Sequence, residues 1–142
     1  MTRIDFYTHV PQKLPVAVQL IGKAWERGLA VWVRVPDDAV AATLDDALWL
    51  QPVGSFLPHC RSHHPLAPQT PVVIDSLEQE PHTHQVLMNL GTDRPDYFSR
   101  FERMIEIVSL EEQDRQYARE RFLFYRDRGF EIHSHNLGTP PP

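Results

Sequence analysis

The chain has 142 residues, a formal net charge of −5, 42% hydrophobic and 23% charged residues, which is one domain's length with an ordinary globular composition. That excludes a disordered body, and the single Cys60 excludes a disulfide scaffold or an all-cysteine zinc site within the chain. No apolar run approaches the roughly 20 residues that span a bilayer, Asp5 falls where a signal peptide has its apolar segment, and the acidic balance argues against a general grip on nucleic acid phosphates, so a cytoplasmic protein is expected.

Ile4-Asp5-Phe6-Tyr7 reads as a short strand, followed by a turn at Pro11. From about Leu14 to Arg27, Val16, Val18, Leu20, Ile21, Ala24 and Trp25 approximate helical spacing, with Pro15 in the first turn and Gly28 as the stop. Leu29 to Val35 is a nearly continuous β-branched run, as in a strand covered on both faces. Pro36-Asp37-Asp38 caps a second helix, about Asp37 to Leu50. Five prolines between Gln51 and Pro71 predict no regular element there. Pro71 to Asp75 and Gln85 to Leu90 read as strands, with His82 and His84 in the loop between them. Asp96 to Phe101 or Met104 predicts a short helix, Ile105 to Val108 a strand, and Glu111 to Arg128 a long helix ending at Gly129. Phe130 to Leu137 reads as an edge strand or extended chain. The alternation predicts one α/β domain over residues 1–137, Rossmann-like, with a mostly parallel sheet flanked by helices and a frayed proline tail over 138–142.

Such a fold invites a search for a phosphate loop, but Tyr7-Thr8-His9-Val10-Pro11 has no glycine, and Gly22-Lys23 lies inside a predicted helix. His59, Cys60, His63 and His64 are close in sequence, as are His82/His84 and His133/His135, yet nothing in the sequence makes them converge. Solvated loop histidines are the simpler expectation, and neither a metal nor a cofactor is assigned. Asp45-Asp46 and Glu111-Glu112 read as helix-surface acids, and neither Ser55 nor Cys60 has an identifiable partner base. No catalytic residue is proposed.

Two features rise above this background. Trp49 near a helix end is followed by Phe56, Leu57 and Pro58 in a stiff loop, whereas Leu44 and Leu48 of the same helix read as core. The aromatics fit either the core or a partner-facing patch. On the long helix, Arg115, Arg119, Phe122 and Arg126 fall on one face, while Tyr117, Phe124 and Tyr125 fall toward the sheet. Guanidinium groups flanking an exposed aromatic suit an acidic peptide with an apolar anchor, though salt bridges to Glu111, Glu112 and Glu120 explain the same charges.

At these features the chain resembles the chi subunit family of bacterial DNA polymerase III. The resemblance is carried by Leu44-Asp45-Asp46-Ala47-Leu48-Trp49, by Ser55-Phe56-Leu57-Pro58-His59, and by Ala118-Arg119-Glu120-Arg121-Phe122 continuing to Tyr125-Arg126 and Gly129-Phe130. It implies a non-catalytic clamp-loader accessory subunit with a Rossmann-type fold and no nucleotide site. Such a subunit pairs with the psi subunit and binds the acidic C-terminal tail of single-stranded DNA-binding protein, so that contact with DNA is indirect. Carried over by position, the tail site falls on Val108, Arg115, Arg119 and Phe122, with Arg126 on the same face, and the psi surface on Trp49, Phe56, Leu57 and Pro58. Leu123 stands where the family pattern has a basic residue, and Phe122 where it has a Tyr. A small nucleotide- or metal-binding enzyme is the alternative expectation.

Overall fold

The computed structural model describes residues 1–50 and 56–138. Its frame is a seven-stranded, all-parallel sheet whose strands, taken across the sheet, are His59–Arg61 (β3), Val72–Asp75 (β4), Val31–Arg34 (β2), Val86–Asn89 (β5), Arg103–Ser109 (β6), Arg3–Val10 (β1) and Glu131–Asn136 (β7). The helices are α1 (Lys13–Glu26), α2 (Asp38–Trp49) and α3 (Glu112–Asp127).

Alternation along each strand divides the core in two. Val31, Val33, Met88, Ile105 and Ile107 pack with Ala17, Ile21, Leu44 and Leu48 under α1 and α2. Ile4, Phe6, Trp32, Leu87, Met104 and Val108 pack with Ala118 and Tyr125 under α3. Both faces of the central strands are therefore covered, which is why Leu29 to Val35 is almost uninterrupted in apolar residues. Local signals set the helix ends: Asp37 accepts from the Val40 N–H at 2.9 Å to cap α2, and Gly28 and Gly129 follow α1 and α3 with φ of 74° and 81°.

Three local expectations are corrected. Despite its prolines, the segment before Pro71 contains β3 and a 3₁₀ turn at Ala67–Gln69. An edge strand of three residues needs hydrogen bonds on one side only, and β3 finds them on β4 between two prolines. The expected helix from Asp96 is only a 3₁₀ turn at Phe98–Arg100. There β6 begins at Arg103, paired with Val86, and buries Met104 in the sheet. On α3 the inward positions belong to Ala118, Arg121 and Tyr125. Tyr117 is exposed, with its hydroxyl accepting from Gln113, and Phe124 lies between the Arg94 and Arg128 guanidinium groups at 3.5 and 4.2 Å from its ring centre.

Candidate peptide-binding groove and aromatic patch

The carboxyl ends of β1 and β6 open beside α3 onto a groove of about 240 Å³. Its apolar surface comes from Phe6, Val108, Ala118 and Phe122, and two guanidinium groups, Arg115 and Arg119, line it from α3. Phe122 is half-buried rather than exposed, because its ring meets Phe6 edge-on at 5.5 Å between centroids. Val108 is buried in the same cluster. The start of α3 is fixed by Asp114, which accepts from the Ser109 N–H at 2.8 Å and from Lys13 Nζ at 3.1 Å. Burial pushes the Asp114 carboxyl up, but these hydrogen bonds and the Lys13 charge outweigh it and hold the group below the usual range.

The arginine face is not absorbed by intrahelical salt bridges. Arg115 lies 3.9 Å from Glu112, at the limit of an ion pair, and Arg119 forms none among the described residues. Arg126 instead pairs with Asp127 at 3.1 Å and is not part of the groove lining. The groove thus combines Val108, Arg115, Arg119 and Phe122. One unpaired and one weakly paired cation over an apolar floor can hold a carboxylate joined to a large apolar side chain.

Under α3 lies a charged network that the sequence reading missed. Arg34, Asn89 and Glu106 occupy one register row across β2, β5 and β6, which continues to Asp75 on one side and Phe6 and Ser134 on the other. Glu106 is fully buried and accepts from Arg121 Nε at 3.1 Å and Tyr125 Oη at 2.7 Å. Arg121 also donates to the Thr92 carbonyl at 2.6 Å, and Arg34 holds Asn89, Glu78 and Asp93. Burial, with the Glu106 carboxylate beside it, pushes the Tyr125 phenol far up. The signal was present in the sequence: a charge inside a strand covered on both faces needs a buried partner.

The second surface lies at the other end of the strand order. Trp49 and Phe56 are 58% and 66% exposed, with ring centres 6.0 Å apart, and Leu50 beside them is 83% exposed. Pro58 is half-buried next to them. Leu57 does not belong with this patch: at 5% exposure it packs in the core under α2, as do Leu44 and Leu48. Its alternation with Phe56 sends the two side chains to opposite sides. Ser55 and Pro52 lie outside the described residues.

His63, His64, His82 and His84 are exposed loop residues as expected, but His59 and His135 are not simply solvated. His59 is buried, with Nδ1 2.8 Å from the Leu57 carbonyl, Nε2 3.2 Å from Asp45 and its ring 4.6 Å from Trp49. His135 stacks on Tyr7 and meets Asp5 at 2.9 Å. Among the described residues no group of three or more His, Cys, Asp or Glu could hold a metal ion, and no helix is long and apolar enough to cross a membrane.

Residues 1–133 match the family model described as DNA polymerase III chi subunit, HolC. The chain is 35% identical to DNA polymerase III subunit chi of Pseudomonas aeruginosa, covering 96% of this chain and 98% of that protein. It is 28% identical to the protein of the same name from Escherichia coli K12, covering 94% and 89%, and 27% identical to that of Haemophilus influenzae Rd, covering 87% and 86%.

Proposed function

The chain belongs to the DNA polymerase III chi subunit family, and from that premise we propose that it works in DNA replication as a non-catalytic linker within the polymerase assembly. In this reading the groove takes the acidic C-terminal tail of single-stranded DNA-binding protein. Arg115 and Arg119 hold the tail's carboxylates, and the surface of Val108 and Phe122 takes its terminal apolar side chain. The Trp49/Phe56 patch takes the psi subunit of the clamp loader. Work of this kind belongs in the cytoplasm and needs no chemistry from the chain itself.

The observation that carries the reading is the meeting of Val108, Arg115, Arg119 and Phe122 around one groove, with both cations free of strong ion pairs. The arrangement also suits a linker. Trp49 leads into β3 at one edge of the sheet, and the groove adjoins β1 and β7 at the other, so one partner need not displace the other. The two arginine contacts are exposed and salt-sensitive, and several tails on one oligomeric partner would raise the effective concentration.

The test is a titration with a fluorescent acidic peptide ending in Pro-Phe with a free carboxylate, at low and high salt. Salt-sensitive binding is expected, weakened about tenfold by Arg119→Ala, the scale of one charge-assisted contact. Absence of binding to the wild-type protein at low salt overturns the tail assignment. Copurification with psi, lost on Trp49→Ala, tests the other surface.

A further inference from the structure

The end of β1 contains a bulge that changes what the groove presents. Pairing with β6 shifts register between Tyr7 and Val10, while pairing with β7 continues through Tyr7↔His135 and Thr8↔Asn136. The irregularity is taken up at His9, whose φ of 62° lies in the left-handed region that residues with a Cβ adopt sparsely. The backbone is fastened on both sides, since the Thr8 carbonyl accepts from Leu137 N–H at 2.9 Å and the Val10 carbonyl from Leu110 N–H at 3.1 Å. Gly138 packs directly on the bulge: a Cβ built there lies 3.0 Å from the Cβ of His9.

In a regular strand Thr8 and His9 point to opposite faces. Here the bulge brings both Thr8 and His9 into the lining of the groove, together with Arg115 and Arg119. His9 Nδ1 lies 2.9 Å from Thr8 Oγ1, and its Nε2 has no hydrogen-bond partner among the described residues. The charged groups sharing the groove are the two arginines of α3. Ser109 and Leu110 at the end of β6 and Ser134 of β7 carry no charge, and no acid belongs to the lining.

We propose that His9 is a third anion-contacting residue of the groove, donating from Nε2 to a carboxylate of the acidic peptide held by Arg115 and Arg119. This rests on the peptide reading given above. A protonated imidazole donates to a carboxylate more strongly than a neutral ring does, so binding should tighten as pH falls from about 8 to about 6. The peptide's own carboxylates stay ionised over that range and contribute no opposing trend.

The same peptide titration, at constant ionic strength and about pH 6 and about pH 8, tests this for the wild-type protein, His9→Asn and His9→Lys. Asn tolerates left-handed backbone but cannot be charged, and Lys is charged at both values. The wild-type protein should bind about fivefold more tightly at the lower pH, the scale of one partly exposed charge pair. His9→Asn should bind equally at both, with the wild-type's weaker affinity, and His9→Lys equally at both with the stronger. A pH response that survives in His9→Asn, or is missing from a wild-type protein that binds, overturns the role of His9 and leaves the peptide reading standing. No binding by the wild-type protein at either pH overturns both.

Discussion

Arg121 and Glu106 form a 3.1 Å ion pair with 4% and 0% of their side chains exposed, and Tyr125 closes on the same carboxylate oxygen at 2.7 Å. The three residues fix the rotation of α3 about its axis. With Arg121 and Tyr125 held inward, Arg115, Arg119 and Phe122 are left to line the groove. Tyr125→Phe keeps the ring and removes one donor to a buried charge, which should cost about 1–3 kcal/mol in urea unfolding. Glu106→Ala leaves the Arg121 charge buried without its partner and should cost about 3–5 kcal/mol. Equal stability of Tyr125→Phe and wild type would show that the phenol is dispensable.

Close approach makes Gly91 sensitive for a different reason. A Cβ there would lie 2.6 Å from Arg34 Nη1 and 3.3 Å from Asn89 Oδ1, the group to which the Gly91 N–H donates. Since Arg34 is held by Asn89, Asp93 and Glu78, its guanidinium has little freedom to withdraw. Gly91→Ala should therefore destabilise by about 1–3 kcal/mol, read as a lowered melting temperature.

Acid sensitivity should begin in the carboxylate range. Burial pushes the Asp5 carboxyl up, but hydrogen bonds from His135, Arg103 and Arg3 outweigh it and hold the group below the ordinary value. A group lowered by folding contributes stability in full above its unfolded pKa of about 4 and loses it as pH falls through the folded value. Asp114 acts in the same direction. Unfolding free energy should thus drop below about pH 4, and Asp5→Asn should flatten that drop while lowering stability at neutral pH. An unchanged acid limb in the variant would remove Asp5 from the account.

The neighbours Trp49 and Leu57 should separate binding from folding. Trp49→Ala removes a ring that is 58% exposed and should change stability by no more than about 1 kcal/mol, while abolishing the capture of psi proposed for this patch. Leu57→Ala opens a cavity under α2 and should cost about 2–5 kcal/mol. Unfolding curves and copurification on the two variants distinguish these outcomes.

Much of the fold was legible because its signals are local. The β-branched run at Leu29 to Val35, the caps at Asp37 and Gly129, and the helical spacing before Gly28 each specify their element without reference to the rest of the chain. What failed depends on contacts distant in sequence. β3 exists because β4 offers it a partner, and Met104 joins a strand because Arg103 pairs with Val86. On α3 a helical wheel puts Arg115, Arg119, Phe122 and Arg126 on one face, and the first three line one groove, but it could not rank Arg121 against Tyr117 for the inward position. That choice is made by Glu106 on another element. The bulge at His9 has no glycine or proline to announce it, and Arg126 left the groove for the adjacent Asp127.

The edge strand β7 carries a consequence for concentrated solutions. Among the described residues it pairs only with β1, so alternate residues along it present unused amide and carbonyl groups on the outer side. Neither lysine nor proline guards that row. Its titratable side chains are Glu131, His133 and His135, and Glu131 meets His133 at 2.6 Å. Such an edge is a template for another chain's strand unless charge keeps the copies apart. Glu131 gives the row little such charge, so self-association through β7 should grow with protein concentration and with added salt.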